Sequence, residues 1–384
     1  MIGVLAAAGL SMVALGVAPV VSNVKVQQRY PWNALVDIDY TLSGDTDGMT
    51  VAISVRDAQN DRTYVPTNFL SSLPANVGTH RVTWNPVADG ASIVSTNIFV
   101  TVSLVYATPP EPASDGLYCV IDLSGGSNAS SYPVTYLDAS PSGGFNTDEY
   151  KTTKLVLRKI DPGTFMMGGS TSTTLTMPFY MGMFEVTQRQ WELVMGSNPC
   201  SSTSYGKGDT YAVHYVSYDM VRGSSAGSGW PGSSAVDSTS FLGKLRTKTG
   251  IDAFDLPTEA QWEYSCRAGT TTAFSCGNSA NGEYMWYSEN SSSISHPVGT
   301  KLPNAWGLYD MHGNMWEWTL DRNGTLAGGS DPKGPSSGMF RVLRGGSWYN
   351  PADCCTSSHR NDDDVSSFGA SDFGFRLART LSNQ

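Results

Sequence analysis

From residue 270 to the C-terminus the chain is dense in Gly, Ser, Asn and Trp and carries little sustained apolar periodicity of either the helical or the strand kind. Such a stretch cannot be laid out as long helices or a regular sheet, yet its tryptophans demand burial. It must therefore fold as a compact core wrapped in long, ordered loops. Forty Gly and twenty Pro in the whole chain point the same way. The 10 Trp and 18 Tyr, within a 40% apolar composition, exclude a globally disordered chain. With 34 acidic and 24 basic side chains the net charge is −10 and no basic face is visible, so nucleic acid is not expected as a partner. A length of 384 residues predicts two or three domains.

The opening segment, residues 1–22, is apolar and uncharged, and Gly16, Val17 and Ala18 supply the small residues that a signal peptidase reads. It predicts a leader and a secreted, periplasmic or cell-surface protein, although no basic stretch precedes it. An uncleaved membrane anchor or a buried strand are the other readings. From there to residue 107, the runs at 36–42, 49–57, 80–86 and 97–106 alternate apolar and polar residues between Gly, Asp, Asn and Pro turns. They predict an antiparallel, immunoglobulin-like β-sandwich over 23–107. The Pro-rich stretch 108–116 reads as a linker, and a second domain follows over 117–384. Thr187 with Gln190, and Thr258 with Gln261, have the spacing of capping boxes, predicting helices over 186–196 and 256–269 closed by Gly196 and Gly269. A weaker helix is expected over 237–248. The fold class is α+β.

Six cysteines stand at 119, 200, 266, 276, 354 and 355, without a C-x-x-C, and five histidines are scattered singly at 80, 214, 296, 312 and 359. An exported chain could pair the cysteines, but the spacing specifies no pairing, and no zinc or histidine-built metal site is expected.

The segments GTFMMGG (163–169), EVTQRQW (185–191), LPTEAQWEYSCRAG (256–269), NAWGLYDMHGNMWEWTLD (304–321), RVLRGGSW (341–348) and GFRLA (374–378) follow one another in an order that resembles the formylglycine-generating enzyme (sulfatase-modifying factor) family. The resemblance runs over about 155–380 and leaves the sandwich outside. It implies an irregular, loop-rich domain related to the C-type lectin fold. The W-E-W strand places Trp316 and Trp318 on one face and Glu317 on the other. A carboxylate beside a Gly-Asn turn suits calcium, and the resemblance implies Glu317 and the backbone at Gly313, Asn314 and Met315 as ligands. A buried Glu held by Arg or by backbone amides is the alternative. The paired glycines of GGSW allow backbone conformations or close approaches that a side chain would forbid.

In the oxidase members two cysteines five residues apart bind Cu(I). The first of those positions is Asn350 here and the second is Cys355, so copper is not expected. If the chain is nevertheless an oxygen-dependent oxidoreductase of the formylglycine-generating type, acting on a protein cysteine in sulfatase maturation, the resemblance places Cys355, Ser347 and Trp318 at its centre. Iron is not expected either, since no separate histidine-bearing helical domain is present. The stretch 353–373 lacks the period of a core element and is small, polar and sparsely aromatic. Its place before the terminal GFR also resembles the variable proteins of diversity-generating retroelements. The expectation is ligand recognition by the surface over 349–373, with Asp353, His359, Asp362, Asp364 and Phe368 as contacts and an extracellular or cell-envelope protein or glycan as partner. Consecutive Asp362, Asp363 and Asp364 read as a solvated acidic face.

Overall fold

The computed structural model describes residues 19–381 except 30–33, 45, 47–48, 92–96, 107–115, 201, 327 and 365–368. The chain divides into two compact units, Met1–Pro109 and Pro110–Gln384.

In the first unit the strands are β1 (Val20–Gln28), β2 (Val36–Ser43), β3 (Met49–Asp57), β4 (Arg62–Tyr64), β5 (Gly78–Trp84) and β6 (Ile98–Tyr106). They form two antiparallel three-stranded sheets, ordered β1-β2-β5 and β4-β3-β6. Val36, Ile38, Tyr40 and Leu42, alternate residues of β2, share one apolar core with Ile53, Val55, Val100 and Val102 of the other sheet. This is the expected β-sandwich, held by side chains each contributing roughly 1.5–3 kcal/mol of burial. β1 opens at Val20, and Val21 pairs with Leu42. Residues 20–22, the end of the segment expected as a leader, therefore belong to the sheet; residues 1–18 lie outside the described residues. Residues 108–115 of the expected linker also lie outside them, while Gly116 is part of the second unit, its carbonyl accepting from the Tyr180 hydroxyl at 2.6 Å. Among the described residues, no helix is long and apolar enough to cross a membrane.

The second unit runs β7 (Tyr118–Asp122), β8 (Val134–Leu137), α1 (Asp148–Thr152), β9 (Lys154–Ile160), β10 (Gly163–Met167), β11 (Thr171–Leu175), β12 (Phe179–Gly182), α2 (Gln188–Met195), α3 (Tyr218–Arg222), α4 (Phe241–Thr249), β13 (Phe254–Asp255), α5 (Glu259–Arg267), β14 (Trp316–Arg322), β15 (Gly329–Ser330), β16 (Phe340–Arg344), β17 (Arg360–Asp364), β18 (Phe373–Gly374) and β19 (Ala378–Thr380). A six-stranded sheet has the order β13-β19-β12-β9-β7-β8, a four-stranded one β17-β16-β14-β18 and a small one β10-β11-β15. Short helices and long loops fill the rest, an α+β domain with the irregularity that its composition demands.

Both capping boxes are present. The Thr187 and Thr258 hydroxyls accept from the Gln190 and Gln261 amides, and each glutamine side chain returns the bond. Gly196 closes α2 in the left-handed region, but α5 is closed by Ala268 at φ 46°, one residue before the expected Gly269. The weak helix starts at Phe241 rather than 237, because Ser240 caps it by accepting from Gly243 N. A larger correction concerns 353–373. Arg360–Asp364 is a strand, paired antiparallel with β16 from Arg360 opposite Arg344 to Asp364 opposite Phe340. It lies at the edge of its sheet, so it needs no second apolar face, and edge charge is a common means of blocking intermolecular pairing.

Candidate functional site

The GGSW segment follows β16 into a tight turn. Gly346 (φ 73°) is required there, since a Cβ would stand 2.5 Å from the Cys355 Sγ. Cys355 is wholly buried, and burial pushes its thiol up to about 12. Its carbonyl accepts from His312 Nδ1 at 2.8 Å. Cys354, beside it on a short 3-10 turn over Ala352–Cys355, packs against a different apolar cluster. It offers Cys355 no paired thiol, and all six cysteines are free.

Ser347 is buried and its Oγ lies 2.6 Å from Asn350 Oδ1 and 2.7 Å from Asp372 Oδ2. A serine hydroxyl has one proton to donate. The second contact takes its proton from the Asp372 carboxyl, whose pKa burial raises, or from the Asn350 amide in its flipped orientation. Asn350 thus anchors the serine. Trp318 does not join this group. It is fully buried, donates from Nε1 to Val216 O at 2.9 Å and meets Tyr218 and Phe373 edge-on, so it is a core residue.

The residues implied for calcium do not fit it as expected. Both Glu317 oxygens are taken by Arg376, whose Nε and Nη2 each lie at 2.7 Å, and Trp262 Nε1 donates to Oε2 at 2.7 Å. Glu317 and Arg376 are both buried with no exposure. A fixed guanidinium on the carboxylate supplies the charge a cation would bring and repels one. Met315 N and Asn314 Nδ2 donate to Glu185, and Asn314 Oδ1 accepts from His296 N. Gly313 (φ 76°) lies against the Trp286 carbonyl, where a Cβ would stand at 2.0 Å. Sequence reasoning missed Glu185 and Asp310, whose carboxyls burial raises, Asp310 to about 6. Asp310 Oδ2 accepts from Gly299 N at 2.7 Å while Oδ1 has no partner. Among the described residues, no three His, Cys, Asp or Glu side chains converge in a way that could hold a metal. Arg376, in the GFR motif between Phe375 and Leu377, was the available signal: an arginine amid buried apolar neighbours needs a buried acid.

Of the expected contact residues, Asp353 is exposed and His359 half-buried with its ring 5.9 Å from that of Trp316. Asp362 lies on β17 opposite Val342 and Asp364 ends that strand. Phe368 lies outside the described residues. Nearer Ser347, three separate segments bring aromatic rings together: Tyr205 lies 6.0 Å from Trp348 and 6.2 Å from Tyr215, and Trp348 lies 5.6 Å from Tyr349. Tyr349 is 69% exposed, and Tyr215 is held by its N–H on Ala370 O at 3.0 Å. These rings, distant in sequence, were not expected as a group.

Residues 143–381, more than half of the chain, match the sulfatase-modifying factor enzyme 1-like domain. The chain belongs to that family. It is similar to the formylglycine-generating enzyme of Mus musculus, 37% identical over 145 residues that make up 32% of this chain and 38% of that one. It is also similar to the chaperone protein LppX of Paenibacillus barcinonensis, 28% identical over 236 residues, 53% of this chain and 80% of LppX. Among solved structures, Treponema denticola variable protein 1 superposes with a TM-score of 0.48 at 28% identity, covering 60% of this chain and 96% of its own. The chain thus spans well under half of the mouse enzyme. Within the sulfatase-modifying-factor-like domain, the turn from Gly345 to Cys355 is the candidate site.

Proposed function

We propose that this chain is a non-catalytic member of its family that recognises an extracellular or cell-envelope protein or glycan through the surface around 349–373. One observation carries the reading: Asn350, where the resemblance expects the first copper cysteine, engages Ser347, while Cys355 is a sealed thiol pushed to about 12. Such a thiol is protonated at neutral pH, and a single sulfur cannot provide the two-thiolate coordination that Cu(I) favours. The turn itself carries exposed Tyr349 and Asp353 and polar Asn350, and half-buried Tyr205 meets its Trp348 with half-buried Tyr215 behind. Rigid aromatic rings among short polar side chains suit adaptable recognition.

The competing reading is formylglycine-generating oxidation, favoured by the 37% identity to the mouse enzyme. Arrays of cell-envelope glycans and surface proteins, probed with the purified chain, separate recognition from chemistry. Selective binding that survives Cys355→Ala and is lost in a combined Tyr349→Ala, Asp353→Ala, His359→Ala variant is the expected result. No selective binding, or binding indifferent to the triple replacement, would overturn the proposal.

A further inference from the structure

A cleft of about 390 Å³ opens elsewhere on the second unit, sharing no residue with the 349–373 surface. This volume lies within the roughly 300–1,000 Å³ of small-molecule sites. Leu175, Leu256, Leu320 and Ala378, from the ends of β11, β14 and β19 and the turn after β13, give it apolar lining. Trp230 also lines it, and its polar groups divide sharply into satisfied and unsatisfied ones.

Arg246 is fully engaged, with Phe254 O at 2.7 Å, Ser234 O at 2.8 Å and Asp255 Oδ2 at 3.0 Å, and Asp255 is further held by Arg222. Asp331 is engaged with the backbone and hydroxyl of Thr176. By contrast, Trp230 is 8% exposed and its Nε1–H has no acceptor. The Lys333 ammonium lies 5.4 Å from the Trp230 ring centroid, and among the described residues no carboxylate reaches it as an ion pair. A buried indole N–H that lacks an acceptor and an exposed, hydrated ammonium that lacks a carboxylate partner therefore line one apolar cleft. Asp252 stands where the cleft continues into a shallower depression of about 470 Å³ lined by Ser233 and Ser238.

We infer that this cleft binds a small amphiphilic anion, with an apolar aryl or short acyl body on the leucine floor and an anionic head at Lys333 and the Trp230 indole. A ligand of this class pairs the Lys333 ammonium, offers an acceptor to the Trp230 indole and fills the apolar lining, whereas a cation would meet Lys333 and an uncharged apolar body would leave the ammonium unpaired. The net charge of −10 disfavours general anion adsorption, so anion binding reports a local site.

The test uses the full chain with 8-anilinonaphthalene-1-sulfonate as probe, followed by fluorescence titration. One saturable site is expected, weakened about tenfold by Lys333→Gln, an amount typical of a lost charge-assisted hydrogen bond. Trp230→Phe, which keeps a ring but removes the N–H, should also weaken it. Lys301→Gln, with the same change in net charge far from the cleft residues in sequence, should leave it unchanged, as should Tyr349→Ala. The uncharged N-phenyl-1-naphthylamine should bind more weakly and be indifferent to Lys333→Gln. Near-ultraviolet circular dichroism establishes that each variant keeps its tertiary packing. Absence of saturable binding, or equal losses from Lys333→Gln and Lys301→Gln in folded protein, would overturn the inference.

Discussion

Glu317 and Arg376 are each buried without exposure, and their ion pair is completed by Trp262, Gly182 O and Tyr309 O. Removing one partner strands a buried charge, so Arg376→Ala should cost about 3–5 kcal/mol in denaturant unfolding of the second unit. Replacing both, by Glu317→Gln and Arg376→Met, should cost less than that single change. Because Arg376 neutralises Glu317, treatment with EDTA should leave the melting temperature of the wild-type chain unchanged; a fall of several degrees would show that a cation shares the carboxylate. Asp321 gives a different test. Burial, reinforced by the charge of Glu259, pushes its carboxyl up to about 7. The fold therefore retains a proton that the unfolded chain releases from about pH 4, and the stability this contributes is full below that pH and lost as pH rises towards 7. Asp321→Asn should flatten the decline, by up to about 1.4 kcal/mol per pH unit, and gain on the parent between pH 5 and 7.5. His312, which burial pushes down to about 4, acts in the opposite sense: its contribution is present above about 6.5 and lost as pH falls through 4. The variant-minus-parent difference, measured by thermal melts across pH, isolates Asp321.

At the scale of elements, α2 and α5 were legible because a capping box is local: Thr and Gln three residues apart fix a helix start whatever surrounds it. Thr258→Ala should cost about 1 kcal/mol, measured by urea unfolding. The W-E-W face separation was legible for the same reason, since strand alternation puts Trp316, Trp318 and Leu320 in one core cluster and Glu317 beside Trp262 on the other side. β17 was not legible, for Arg-Asn-Asp-Asp-Asp has neither apolar alternation nor β-branched residues, and only its pairing with β16 makes it a strand. The end of α5 was misplaced because Ala268 takes a left-handed conformation normally left to glycine. Asp362→Val should promote concentration-dependent self-association, visible by light scattering, whereas unchanged particle size would show that this charge does not protect the edge.

For the whole molecule, the family was legible from its ordered motifs and the α+β class from turn spacing and composition. The candidate site was legible only in part: Ser347, Asn350 and Cys355 lie within one short segment, but Asp372 reaches Ser347, and Tyr205 reaches Trp348, from other parts of the chain. Trp318 illustrates the limit, because a motif position does not reveal on which side of the core its ring lies. In the proposed function, Asn350 standing where the resemblance expects a copper cysteine, together with the sealing of Cys355, removes the oxidase chemistry. The direct measurement is incubation of the Cu(I)-supplemented chain in air with a cysteine-containing sulfatase-type peptide, following aldehyde formation by mass, with Cys355→Ala beside it. No aldehyde from folded protein is predicted; aldehyde that forms with the wild-type chain and disappears in Cys355→Ala would contradict the account.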